Sequence, residues 1–225
     1  MENEIENALE RFIRKTRELF ATEPELDKRW AGLSPFLVEL LADPAVLKAS
    51  KSWPECVPAE GRAENLLFYE DPDYKFAVNG LTKGVVRQGR PMRIHDHAHI
   101  YTLYGVLDGH ERVERYERVD DCSRPSYAEI IRTTDLLVGP GQIDLVKPFE
   151  IHRETTVGER TVAVIIRSEK SGGFNQGRYN PETNEYYESL GPRQIPTEML
   201  PKRAKMATGF DNRLPLQAVA RTDKI

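Results

Sequence analysis

Cysteine is scarce. Cys56 and Cys122 are the only two in 225 residues, and they stand far apart with no metal-type or framework spacing. That excludes a disulfide scaffold and points to a reducing compartment. Long apolar runs are missing as well, so no membrane span is predicted. There is no excess of positive charge: 32 Lys and Arg face 36 Asp and Glu, for a formal net charge of −4 and a pI near 5.8. The electrostatic footprint of a nucleic-acid binder is therefore lacking. The opening residues, Met1 to Glu6, lack the basic start and apolar core of a secretory signal. The expectation is a cytoplasmic protein with no nucleic-acid and no membrane partner. No internal repeat or low-complexity run interrupts the chain. What remains is an ordinary globular composition, 39% hydrophobic and 30% charged. A chain of this length buries roughly 70% of its unfolded surface.

The pattern changes twice along the chain. Ile5, Leu9, Phe12, Ile13, Leu19 and Phe20 recur at helical spacing and predict a first helix over about the first twenty residues. Thr22 with Glu25 reads as a capping box opening a second helix through Trp30. Ser34-Pro35 and Asp43-Pro44 read as caps with first-turn prolines for two more. Residues 1–54 are expected to form a helical segment packing on the β region C-terminal to it. From Leu66 to Ile166 the chain breaks into short apolar stretches: Leu66–Tyr69, Tyr74–Val78, Leu81–Val86, Arg93–His97, Tyr101–Leu107, Arg112–Arg118, Ala128–Arg132, Leu136–Val138, Ile143–Val146, Ile151–Thr155 and Thr161–Ile166. Turn signals sit at Asp71-Pro72, Gln88-Gly89, Asp108-Gly109 and Gly139-Pro140-Gly141, and Asn79-Gly80 reads as a hairpin turn or a bulge. Many short strands at this spacing predict a mainly β sandwich or barrel over residues 55–170. Residues 171–225 are turn-rich and proline-punctuated, with prolines at 192, 196, 201 and 215, and are expected to be an irregular tail.

The chemistry concentrates at His95 and His97. On a strand, residues two apart share a face at about 6.5 Å, so two imidazoles there can hold one metal ion. His152 lies about fifty residues on, in another candidate strand, and a barrel brings such strands together with inward side chains. Three imidazoles leave coordination positions open, as in a catalytic site; a structural site is closed by four ligands. Asp96 alternates to the opposite face, His99 reads as a mouth or surface residue, and His110 reads as exposed. Tyr101 and Tyr104 read as barrel packing. Imidazole suits several transition metals, so the ligand type alone names none.

The segment Gly89, five residues, His95-x-His97, four residues, Thr102, six residues, Gly109 resembles the first motif of the cupin superfamily. Thr102 stands where many cupins carry a glutamate. Gly141, six residues, Pro148 and then His152 resemble the second motif, with Thr156 in place of its asparagine. The resemblance implies a cupin double-stranded β-helix (jelly-roll) barrel with short N-terminal helices, and a metal held by His95, His97 and His152. With threonine in place of the glutamate, all protein ligands would be neutral, and the ion would keep its full charge for an anionic ligand. Within cupins, His95-Asp96-His97 followed by Ile151-His152-Arg153 is similar to the cysteine dioxygenase type, the three-histidine thiol dioxygenases. That implies a non-haem Fe(II) dioxygenase acting with O2 on a small anionic substrate such as a thiol acid; Zn, Ni, Mn or Cu are the alternative metals. Ile165 and Arg167 stand where those enzymes place a further His and Tyr, and a crosslinking cysteine of some members falls at Thr102. Arg167 is a candidate for pairing a substrate carboxylate, with Arg62 a displaced second candidate; Arg87 and Arg90 read as surface charges. Another metal-dependent cupin (a zinc hydrolase, isomerase or lyase) and a non-enzymatic cupin that binds a small ligand are the other readings. The resemblance allows a homodimer.

Overall fold

A computed structural model describes residues 6–59, 61–84 and 93–201. Gly89, Arg87, Arg90 and Pro215, singled out above, lie outside the described residues.

Four helices open the chain: α1 (Ala8–Thr22), α2 (Leu26–Gly32), α3 (Ser34–Ala42) and α4 (Pro44–Ser50). The capping box belongs to α1 and not to α2. The Asn7 side chain accepts from Glu10 N–H, and Glu10 reaches back to the Asn7 N–H at 2.8 Å. Thr22 instead donates back to the carbonyls of Glu18 and Leu19, closing the end of α1. Ser34 lies inside α3, which begins after Leu33 without a side-chain cap. Asp43 does cap α4, accepting from the N–H groups of Ala45 and Val46. The apolar stripe of α1 buries Phe12, Ile13 and Phe20. Among the described residues no single helix is long and apolar enough to cross a membrane.

Ten strands follow: β1 (Glu64–Glu70), β2 (Ala77–Lys83), β3 (Ile94–His95), β4 (Thr102–Arg118), β5 (Ile130–Val138), β6 (Ile143–Val146), β7 (Ile151–Arg167), β8 (Asn175–Asn180), β9 (Glu185–Leu190) and β10 (Arg193–Pro196). They form one curled, mainly β sheet in the order β10-β1-β2-β7-β3-β8-β9, with β4 pairing β5, β6 and β7. The long antiparallel pair β4/β7 is its spine. The first half of β4 and the second half of β7 lie in one wall with β6, β2 and β1. The second half of β4 and the first half of β7 lie in the other with β5, β3 and β8.

This spine differs from the expected short strands. Tyr101–Leu107 and Arg112–Arg118 merge into β4, Ile151–Thr155 and Thr161–Ile166 into β7, Ala128–Arg132 and Leu136–Val138 largely into β5. Asp108-Gly109 does not end a strand. It is a bulge, with register shifts on either side and Gly109 at φ +78°. A Cβ there would lie 2.1 Å from the Arg160 carbonyl oxygen, so only glycine lets β4 pass from one wall to the other. Asn79-Gly80 is not a hairpin turn; both lie inside β2, in unbroken register with β7, and the bulge beside them falls on β1, between Leu67 and Tyr69. The segment after 171 is also more ordered than expected. Residues 175–196 give β8 and β9, which extend the wall beyond β3, and β10, which adds parallel to β1.

The helices close the outside of one wall. Alternation along β4 turns Tyr104 inward and Gly105 outward. A Cβ on Gly105 would fall within about 3 Å of Leu41, Ile143 and Leu37, so the missing side chain seats α3 directly on the sheet. Trp30, Leu33, Leu37 and Phe76 join Leu103, Val164 and Ile166 in one buried core. The opposite, concave face of the sheet is left for the site.

Candidate metal centre

His95 and His152 are direct cross-strand partners in the β3/β7 antiparallel pair, which places their side chains side by side. Their ring centroids are 4.5 Å apart. His97 lies just past the end of β3, and its ring sits 5.2 Å from His95 and 4.6 Å from His152. One ligating atom from each of the three lies within 4.8 Å of the other two, and all three residues are buried.

The chain behind His97 is held by Asp96. Its carboxylate, on the opposite face as expected, accepts from Ala98 N–H at 2.8 Å, Gly177 N–H at 2.9 Å and Tyr179 O–H at 2.7 Å. A Cβ on Gly177 would lie 2.3 Å from that carboxylate, so glycine is what lets β8 come this near. Ala98 then turns the backbone at φ +53°. Asp96 is thus a positioning residue that ties the His97 turn to β8.

The orientation of the rings fits a metal. His95 Nδ1 is 3.0 Å from the Arg93 carbonyl and His152 Nδ1 is 3.2 Å from the Glu150 carbonyl. Each Nδ1–H donates there, which leaves Nε2 as the free lone pair. His152 Nε2 and His97 Nδ1 are buried with no hydrogen-bond partner, a cost that a bound ion would remove. Burial, reinforced by the charge of His152, pushes His95 down to about 3 and His97 well below the ordinary imidazole value. Burial acts the same way on His152, but the adjoining Glu154 carboxylate outweighs it and holds that ring above the ordinary value.

Glu154 is the residue that the sequence reading missed. It lies two positions after His152 on β7 and so shares its face. Glu154 Oε1 is 3.3 Å from His152 Nε2, though not aligned as a hydrogen bond. Its side chain is 12% exposed. Burial opposes its charge, but His152, His95 and Lys83 hold the carboxyl well below the usual range. The group that could hold a metal is still the three imidazoles alone; Glu154 adds an anionic neighbour to it. Thr102 is buried with an unpartnered hydroxyl, but a carboxylate arrives from β7 instead of β4. The i, i+2 relation of His152 and Glu154 was the signal available for it.

His95, His97, Thr102 and Glu154 line a cavity of about 370 Å³ that also takes in Lys83, Tyr104, Arg62, Arg167, Gln176 and Arg178, with the His152 ring packed against those of His95 and His97. Arg167 points inward, 4% exposed. It donates from Nη1 to Asn79 Oδ1 at 2.8 Å and from Nη2 to Asn65 Oδ1 at 3.0 Å, and its Nε has no partner. Burial lowers it to about 10, so it stays charged at neutral pH. Arg62 lines the same cavity, but its Nη2 is held by the carbonyls of Gly172 and Gly191. Tyr104 is part of the site as well as of the packing. Its hydroxyl donates to Glu111 at 2.6 Å, and Lys83 Nζ donates to the other Glu111 oxygen at 2.7 Å, all three buried. Burial first, and the Glu111 charge second, push the Tyr104 phenol well above its ordinary value. The remaining histidines are not brought in. His99 is exposed, paired with Glu169 and packed on Phe174, and His110 lies at the outer surface, not in the cavity. Tyr101 bonds to Asp27 and stacks on Trp30 outside the barrel.

No family model matches the chain, and no curated protein matches it. Solved structures do align with it. A cupin domain of Schizosaccharomyces pombe Cnp3 aligns at 10% identity and a TM-score of 0.36, covering 50% of this chain and 67% of that one. Oxalate oxidase in complex with glycolate aligns at 14% identity and a TM-score of 0.33, covering 42% of each chain. The hydroquinone 1,2-dioxygenase PnpCD aligns at 13% identity and a TM-score of 0.37, covering 56% of this chain and 76% of that one. These are likenesses of part of the fold.

Proposed function

We propose that this chain is a metal-dependent enzyme of the cupin type, a non-haem Fe(II) dioxygenase that uses O2 on a small anionic substrate such as a thiol acid. The observation that carries the reading is the convergence of three buried imidazoles, His95, His97 and His152, two of which, His95 and His97, line a cavity that also holds a buried arginine bonded only to neutral amides. These three histidines would hold the iron, which supplies redox chemistry with open coordination positions. The chain's own residues do the rest. The carbonyls of Arg93 and Glu150 fix the tautomers of His95 and His152. Arg167, already braced by Asn65 and Asn79, offers its guanidinium to a substrate carboxylate without having to leave an acidic partner. The Glu154 carboxylate beside His152 lowers the net charge of the centre and is placed to take or return a proton at Oε1. The barrel walls and the helix-covered core keep bulk water from that end of the cavity.

The test is metal content after purification under anaerobic, reducing conditions, followed by oxygen uptake with a panel of thiol and carbonyl acids. Iron with substrate-dependent uptake is the expected result. Zinc with no uptake would sink the dioxygenase reading in favour of a metal hydrolase, isomerase or lyase. Full metal occupancy in His152→Ala would remove His152 as a ligand.

A further inference from the structure

The cavity carries more positive charge than a single-headed acid calls for. Arg62, Arg167 and Arg178 all line it, and each bonds only neutral acceptors. Arg178 donates from Nε to Ser189 Oγ at 3.0 Å and from Nη2 to Gln176 Oε1 at 3.1 Å; the partners of Arg62 and Arg167 are carbonyls and amides. Arg93 also lines it and bonds the Tyr187 hydroxyl; Lys83, buried like Arg167, is already neutralised by Glu111, and the Glu64 carboxylate in the lining pairs with Arg193. Glu154 belongs to the histidine end.

Two of these cations, Arg178 and Arg62, form a row with Gln176. Arg178 is the register partner of His95 across β3/β8, so both side chains lie on the cavity face. Gln176 is two residues back on β8 and shares that face. Its orientation is fixed, because only Oε1 can accept from Arg178. That leaves Gln176 Nε2 unpartnered, on a side chain that is 2% exposed. Gly191 packs against the Gln176 amide, and its carbonyl receives Arg62, whose Nε is also buried and unpartnered. The row therefore runs from His95 through Arg178 and Gln176 to Arg62. Buried donors with no acceptor cost free energy unless a ligand supplies one. Burial opposes the charge of Arg178, a cost that an anion there would offset. The cavity volume also matters. At about 370 Å³ it equals the share of about twelve liquid waters, more than a three-carbon thiol acid fills.

We propose that Arg178, Gln176 and Arg62 form a second anion site, and that the substrate is a dicarboxylate-class acid with one charged end at the histidines and Arg167 and the other at this row. The inference rests on the metal-enzyme reading only for the role of the first end; the second end needs no metal.

The test is calorimetric titration of the full-length, metal-stripped protein at low ionic strength with acetate, propionate, succinate, glutarate, adipate and inorganic phosphate. At least one dicarboxylate is expected to bind tenfold or more tightly than propionate. Arg178→Gln and Gln176→Leu should each erase that preference, and Arg178→Lys should restore part of it, with circular dichroism and melting curves matching the parent. Equal binding of mono- and dicarboxylates, or an unchanged preference in a folded Arg178→Gln, overturns the proposal. Phosphate binding more tightly than every dicarboxylate overturns it in favour of a phosphate ester. Iron content and oxygen uptake are read separately, so loss of the dioxygenase reading leaves this result standing, and the reverse.

Discussion

Replacing Lys83 with methionine tests how the cavity floor is held. Lys83 and Glu111 are 2% and 0% exposed, with Nζ 2.7 Å from Oε1, and Tyr104 donates to the second carboxylate oxygen at 2.6 Å. At that separation and an effective dielectric of about 20, the gross attraction is ~6 kcal/mol. Desolvation of both charges offsets most of it. The pair as a whole therefore adds little stability, while a single deletion leaves the other charge buried. Lys83→Met and Glu111→Leu are each expected to cost about 3–5 kcal/mol. The double variant removes both charges and leaves only the Tyr104 hydroxyl unpartnered, at about 1–3 kcal/mol. It should be more stable than either single variant. In urea denaturation at pH 7 the two effects should fall short of additivity by at least about 2 kcal/mol. A thermal scan should show each single variant melting about 6–20 °C lower. A Lys83→Met protein within about 1 kcal/mol of the parent, or additive effects, would refute the claim that this pair is buried and mutually dependent.

Gly109→Ala forces a Cβ to 2.1 Å from the Arg160 carbonyl at φ +78° and should lower stability by at least about 2 kcal/mol. Gly141→Ala has a similar φ of +80° but nothing within 4 Å, so it should cost only about 1 kcal/mol; equal losses would show that the bulge is not held by that contact. Asp120 accepts from Arg118 and from the N–H groups of Cys122 and Glu129; the Arg118 guanidinium first, helped by those amides and opposed by burial, holds its carboxyl well below the usual range. A depressed folded value means its contribution is full above the unfolded value of 3.8 and is lost as pH falls through the folded one. Asp120→Asn should therefore destabilise the 118–129 loop at pH 7, with the gap to the parent narrowing below about pH 4; a gap that widens in acid contradicts this sign. His99→Ala removes a surface pair with Glu169 and a ring contact with Phe174, both away from the three imidazoles, so bound metal per chain should not change.

Local chemistry made much of this legible. The His95-x-His97 spacing, an N-terminal run of three or four helices and a mainly β fold could be read from short periodicities that survive into the structure, while His152 as the third histidine came only from the resemblance to the second cupin motif. Strand ends were harder. Asp108-Gly109 looks like a turn in one dimension, yet it lies inside a 17-residue strand. Whether a glycine ends a strand or bulges it depends on what pairs across from it. The C-terminal strands were missed because residues 175–196 alternate weakly and are only partly buried; their stability comes from pairing with β3 and β1.

The sequence by itself determined the residue types and their spacing: three histidines with two-residue and fifty-odd-residue separations, and an arginine at 167. The tertiary structure alone decided which groups share a cavity. It set His152 opposite His95 through the β3/β7 register, brought the Glu154 carboxylate to 3.3 Å from His152, and aligned Arg178, Gln176 and Arg62 beside the centre. The physical reason is that side-chain direction follows from a two-residue period, which sequence carries. Adjacency across strands follows from register, which is fixed only when the whole barrel closes.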